Sequence, residues 1–152
     1  MNRQEGAFTL TELILIVIFL GIFAAISIPR LNFAVVSKQN ADCHARKIVT
    51  DLRRIRTLAI SNAADNTAGF ALNMTGSAPY FAYEIVNLDT GATIDSHIIN
   101  PDVNCTGGSQ FKFGPLGNLL SGSNTELTVS AKEKTFTITI ISATGMVKCT
   151  EN

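Results

Sequence analysis

Gly6-Ala-Phe-Thr-Leu-Thr-Glu12, followed without a break by Leu13-Ile-Leu-Ile-Val-Ile-Phe-Leu-Gly-Ile-Phe-Ala-Ala-Ile-Ser-Ile28 and closed by Pro29 and Arg30, is the stretch that decides the fold. Residues 8–28 supply roughly 21 positions, about 31 Å as a helix, which matches the hydrocarbon thickness of a bilayer. Glu12 interrupts that picture, because a carboxylate near the mouth of an apolar run is costly unless it is paired or lies at an interface. It needs a cation. Arg3 is one candidate; the other is an α-amino group made by cutting the chain just upstream, about one helical turn from Glu12.

Two plainer readings of the segment fit less well. A secretory signal has a basic start, a short apolar core and a small-x-small cleavage site, and Ala25-Ile26-Ser27 has the right residue sizes. However, the leader carries Glu5 beside Arg3, and Glu12 falls where the core should be apolar. A simple single-span anchor has the right length but gives Glu12 no purpose.

Beyond Pro29 the apolar residues Leu31, Phe33, Val35 and Val36 continue, so the proline is expected to kink the helix rather than end it. Ala41, Ala45, Ile48, Leu52, Ile55 and Ala59 then recur at alternating spacings of four and three, drawing one apolar stripe. Arg46, Lys47, Arg53, Arg54 and Arg56 fall largely off the stripe and read as a solvated face. Ser61, Asn62, Asp65, Asn66, Thr67 and Gly69 bring turn chemistry, which stops the helix near Asn62. A helix over residues 8–63 would be roughly 84 Å long: a shaft whose second half is covered by the rest of the chain.

That remainder reads as β structure. Residues 80–88 and 93–99 form a hairpin about Asp89-Thr90-Gly91. Phe111-Lys112-Phe113 is a short strand, and Gly114-Pro115-Leu116-Gly117 is punctuation. Residues 127–130 and 135–141 form the strongest pair. Phe136, Ile138 and Ile140 alternate with Thr135, Thr137 and Thr139, so one face is core and the other wet. The apolar face is expected to dock on Ile48, Leu52 and Ile55. A last short strand follows Thr144-Gly145 over residues 146–148, and Phe70 to Leu72 reads as a further strand opening the sheet. The fold class is α+β: a long kinked amino-terminal helix packed against an antiparallel sheet domain. Its parts are a leader (1–7), a membrane or filament-core helix (8–29), its amphipathic continuation (30–63) and a globular β domain (64–152).

The 152 residues carry 12 basic and 12 acidic side chains, so no global field marks a partner rich in phosphate. Roughly 120 residues remain after the apolar run, enough for a modest core.

A short polar leader, then Phe8-Thr9-Leu10-Thr11-Glu12, then about twenty apolar residues ending Ile28-Pro29, resembles the amino terminus of type IV pilins and type II secretion pseudopilins. The resemblance implies cutting by a prepilin peptidase, N-methylation of the new first residue, and packing of these helices at the centre of a filament. With Glu12 fifth in the mature chain, the cut falls between Ala7 and Phe8, and Phe8 is methylated. The family's glycine before the cut is one place early here, at Gly6, which leaves a cut after Gly6 as the alternative. Phe111-x-Phe113, Pro115-x-Gly117 and the closing Thr144-Gly145-Met146-Val147-Lys148 are similar to the minor GspH/FimT class of that family. This implies a minor subunit of a tip or priming complex, other pilin or pseudopilin subunits and the bacterial inner membrane as partners, a single-pass location there, and a periplasmic globular domain. Some members of the class bind DNA through a basic carboxy-terminal end. The matching end here offers one cation, Lys148, whereas neutralising several phosphates needs several. A DNA-binding pilin of a transformation pilus is therefore the alternative reading.

In an oxidising compartment the three cysteines can pair. Cys105 and Cys149, both in the β part, are the preferred disulfide. Cys43 is left as a small buried hydrophobe or as a competing partner of either. No metal or cofactor motif is present, because the cysteines are far apart and neither His44 nor His97 has a partner at ligand spacing. Asp95-Ser96-His97 contains the residue types of a catalytic triad, but strand neighbours point to opposite faces. Asp89-Thr90-Gly91 has too few oxygen ligands for a calcium loop. A structural subunit is expected, not an enzyme.

Overall fold

The computed structural model describes residues 9–27 and 33–152. The class is α+β, with helices α1 (Leu10–Ser27) and α2 (Phe33–Ser61) followed by eight strands. The chain divides into two units, Met1–Phe33 and Ala34–Asn152. The junction between the two helices, with the expected kink at Pro29, lies outside the described residues.

Thr9 starts α1. Its hydroxyl and its carbonyl accept the N–H of Glu12 at 3.3 and 3.0 Å, and the carbonyl also accepts that of Leu13 at 3.2 Å. Thr9 is thus the N-cap and Glu12 the third helical position, the spacing of a capping box. A carboxylate in the first turn also meets the positive end of the helix dipole. This placement corrects one expectation. The helix has 18 residues, about 27 Å, and its first turn carries Thr11 and Glu12, whereas a bilayer core needs about 30 Å of apolar helix. Among the described residues no helix is long and apolar enough to cross a membrane. The single-pass inner-membrane location is overturned on that ground, and the periplasmic placement that hung on it falls with it.

In α2 the six stripe residues Ala41, Ala45, Ile48, Leu52, Ile55 and Ala59 are all fully buried, because the spacing keeps them on one side of the helix. The helix ends at Ser61. Asn62 donates its backbone and side-chain N–H to the carbonyl of Leu58, each at 3.0 Å, and so turns the chain out of the helix.

Two four-stranded antiparallel sheets complete this unit. The first has the order β3 (Thr93–Ile98), β2 (Ala82–Asn87), β1 (Phe70–Thr75), β5 (Gln110–Phe113). The second has the order β4 (Asn104–Gly107), β6 (Glu126–Ala131), β7 (Lys134–Ile141), β8 (Met146–Glu151). Both expected hairpins form, β2 with β3 and β6 with β7. Phe136, Ile138 and Ile140 point inward and join Ile48, Leu52 and Ile55 in one core cluster. Strand β1 runs on to Thr75 and is central, paired with both β2 and β5.

Arg56 closes the end of this core. Its Nε donates to the carbonyls of Gly117 and Thr144, each at 3.1 Å, joining two loops far apart in sequence. A Cβ on Gly145 would run into the Gly117 carbonyl, and the residue takes a positive φ of 63°, so glycine is required there.

The expected Cys105–Cys149 disulfide is also corrected. The two residues lie on the outermost strands of the same sheet, with β6 and β7 between them. Three strand spacings are roughly 14 Å, whereas bridged Cα atoms sit about 4.4–6.8 Å apart. All three cysteines are free, Cys105 buried and Cys149 exposed; Cys43, expected to be buried, is exposed as well. Burial pushes the Cys105 thiol up to about 12. A thiol reagent at pH 8 is therefore expected to modify Cys43 and Cys149 in the folded chain and Cys105 only after unfolding, as counted by intact mass. Reaction at Cys105 in the native state would contradict this arrangement.

Candidate functional site

Two features of the chain need a functional explanation: the surface of α1 and a polar cluster between α2 and β3.

Along α1, Leu13, Ile14, Leu15, Ile16, Val17, Ile18, Phe19 and Leu20 are all exposed. Eight consecutive residues pass more than twice around a helix of 3.6 residues per turn, so the apolar surface is present on every side. Glu12 sits at the helix entrance, exposed, with its N–H held by Thr9. Gly6, Ala7 and Phe8, the expected cleavage and methylation residues, lie outside the described residues.

The cluster is built on Asp51, a carboxylate only 2% exposed. It lies beside the stripe on α2, which aims it at β2 and β3. Tyr83 donates its hydroxyl to Asp51 Oδ2 at 2.6 Å, and Lys47, one turn away, lies 3.3 Å from the same carboxylate. His97 pairs with Tyr83 across the strands, their rings 5.2 Å apart. Its Nε2 is buried, 3.6 Å from Asp51 Oδ2 and 3.4 Å from Asp95 Oδ2, and makes no hydrogen bond among the described residues. Arg54 reaches from the helix to Asp95 Oδ2 at 2.9 Å, and this bond holds the Asp95 carboxyl below its ordinary value. Two turns toward the helix start, the N–H of Asn100 donates to His44 Nε2 at 3.3 Å; burial lowers the pKa of that imidazole.

Chemically this cluster is a clamp. Asp95 and His97 share a face of β3, while Ser96 is on the other and exposed. Of the triad residue types, Ser96 is therefore turned away from Asp95 and His97. The carboxylate oxygens nearest His97 already accept from Tyr83 and Arg54, and among the described residues no group of three or more His, Cys, Asp or Glu is placed to hold a metal ion.

The basic residues of α2 have partners as well. Arg46 pairs with Asp42 at 2.9 Å, Arg53 donates to the carbonyl of Val147 at 3.3 Å, and Arg54 and Arg56 reach β3 and two loops as described. The face expected to be solvated is exposed at Arg46, Lys47, Arg53 and Arg54, and Arg53, Arg54 and Arg56 also reach from the helix to strands and loops. Asp51 itself carried a weak signal in the sequence: it sits four residues after Lys47, three after Ile48, at the margin of the stripe.

Comparison with protein families, with curated proteins and with solved structures gives no match.

Removing the Tyr83 hydroxyl leaves a buried carboxylate short of a charge-assisted hydrogen bond, a loss of about 1.5–3 kcal/mol. Tyr83→Phe is expected to lower the denaturant midpoint accordingly. Burial, and then the bond to Asp51, raise the Tyr83 pKa above its ordinary 10.0. The folded state therefore holds this proton where the unfolded chain has lost it. The stability from that linkage is complete below pH 10 and declines above it. In Tyr83→Phe this decline above pH 10 should be shallower than in the parent; equal slopes would contradict the assignment.

Proposed function

We propose that the chain is a minor pilin-like structural subunit, assembled through α1 with other pilin or pseudopilin subunits of a type IV pilus or a type II secretion pseudopilus. The observation that carries this reading is the surface of α1: a helix apolar on all sides requires cover, and these side chains are exposed in the single chain. Helices of neighbouring subunits, apolar in the same way, supply that cover. The resemblance of residues 6–29 to the pilin amino terminus points the same way. In this reading a prepilin peptidase cuts between Ala7 and Phe8, and the methylated ammonium of Phe8, from the same or an adjacent subunit, meets the carboxylate of Glu12. The capping position of Glu12 suits that role, because it holds the carboxylate in the first turn at the helix entrance. The role is structural, without catalysis. Nucleic-acid binding finds no support in α2, whose arginines bond to carboxylates and backbone carbonyls.

The full chain, produced beside a prepilin peptidase and partner pilins, is expected to have a mass that starts at Phe8 and carries one added methyl group. Glu12→Ala is expected to reduce co-assembly about tenfold, the equivalent of ~1.4 kcal/mol. Ile16→Asp, which places a charge in the helix packing, should abolish co-assembly while the melting of residues 34–152 stays unchanged. Co-assembly of both variants at the parent level would overturn the reading.

A further inference from the structure

Two stretches of the chain have the form Asn-x-Thr, Asn73-Met74-Thr75 and Asn104-Cys105-Thr106, which is the acceptor pattern of N-linked glycosylation. The fold treats them differently. Asn73 lies on the central strand β1, between β2 and β5, and its Oδ1 accepts from Gln110 Nε2 at 2.9 Å. Ala71 and Leu72 just before it are fully buried. A transferase has no approach to that amide in the folded chain.

Asn104 opens the edge strand β4 and is exposed. Residues two apart on a strand point the same way, so Asn104 and Thr106 share the outer face of β4, while Cys105 between them is buried in the core. The strand is entered from an exposed turn, in which Asn100 accepts the N–H of Val103 on its carbonyl and that of Asp102 on its Oδ1, each at 2.9 Å. Asp102 is exposed and stands two places before Asn104. It completes Asp102-x-Asn104-x-Thr106, the extended acceptor pattern of bacterial oligosaccharyltransferases, whereas Ala71 holds that place before Asn73. A second observation points to the same spot. Asn104 lines an open apolar groove of about 330 Å³ together with Pro79, Phe81, Ile98, Pro101 and Val103. Phe81 is 59% exposed and Ile98 82%, an apolar surface of the kind that marks a contact site.

We propose that Asn104 is the acceptor of an N-linked glycan whose first sugars lie in this groove. In the transfer Asn104 Nδ2 bonds to the anomeric carbon of a glycosyl diphosphate, lipid-linked or nucleotide-linked. The bond from that carbon to the diphosphate oxygen breaks, the diphosphate leaves with the electron pair, and the amide gives one proton to a base of the transferase. Nothing is oxidised or reduced. A pyranose carries C–H groups that suit the negative face of the Phe81 ring, while its hydroxyls remain in water. A glycan rooted at the rim of the groove thus turns an exposed apolar patch into a polar surface. The site goes beyond the α1 assembly and does not depend on it.

The folded full chain in detergent is incubated with a bacterial oligosaccharyltransferase and a lipid-linked oligosaccharide, and in a second arm with a soluble N-glycosyltransferase and UDP-glucose. Intact mass and peptide mapping locate the sugar. The expected product carries one glycan, on the peptide containing Asn104, and none on Asn73. Asn104→Gln and Thr106→Val should abolish the modification with melting unchanged, and Thr106→Ser should retain it. Asp102→Ala should abolish transfer from the lipid-linked donor alone, which distinguishes that donor from the nucleotide sugar. The glycosylated chain should melt above the bare one, and Phe81→Ala should erase that difference while leaving transfer intact. A folded chain unmodified at Asn104 in both arms, or modified equally at Asn73, would refute the acceptor assignment. A melting difference that persists in Phe81→Ala would remove the glycan from the groove. No readout involves α1, so failure of the assembly reading leaves these results unaffected.

Discussion

The packing of one apolar stripe on α2 against two sheets is the contact on which the rest of the structure depends. Ala41, Ala45, Ile48, Leu52, Ile55 and Ala59 bury completely, and the buried apolar residues of the described chain all lie between Ala41 and Val147. Unit Ala34–Asn152 therefore closes its own core. The apolar side chains of α1 are exposed in the single chain. The proposed assembly rests on that exposure, since burial of apolar surface is the largest favourable term available to the chain.

Polar side chains of α2 fix how the sheets meet that stripe. Asp51 with Tyr83, Arg54 with Asp95, Arg53 with Val147 and Arg56 with Gly117 and Thr144 run from one helix to strands and loops across the unit. Hydrophobic contact is non-directional and leaves the docking angle loose. Hydrogen bonds of defined geometry remove that freedom.

Much of this fold was legible in the sequence for a definable reason. The α2 stripe and the alternation in β7 are local periodic patterns, and each marks the face that is buried. Asp89-Thr90-Gly91 and Thr144-Gly145 mark their turns by residue type, with Gly91 and Gly145 both at positive φ. The rest depends on partners distant in the chain. Strand β4, Asn104–Gly107, contains asparagine and glycine and becomes a strand because β6 and Tyr80 bond to it from either side. The cysteine pairing went wrong because shared membership of a β region says nothing of strand order, and two strands intervene. The candidate site divides in the same way. Glu12 stood out as a charge in an apolar run, and Thr9-x-x-Glu12 also carried a capping pattern. Asp51 carries only a weak signal at the margin of the stripe, because its partners Tyr83 and His97 lie on strands far along the chain.

The central claim is that α1 is covered by the helices of other subunits. A photo-activatable amino acid at Val17, in the full chain assembled beside partner pilins, tests it most directly. The account predicts that illumination joins Val17 to the apolar helix of a neighbouring subunit. Crosslinks confined to residues 34–152 of the same chain, or no protein crosslink at all, would contradict it.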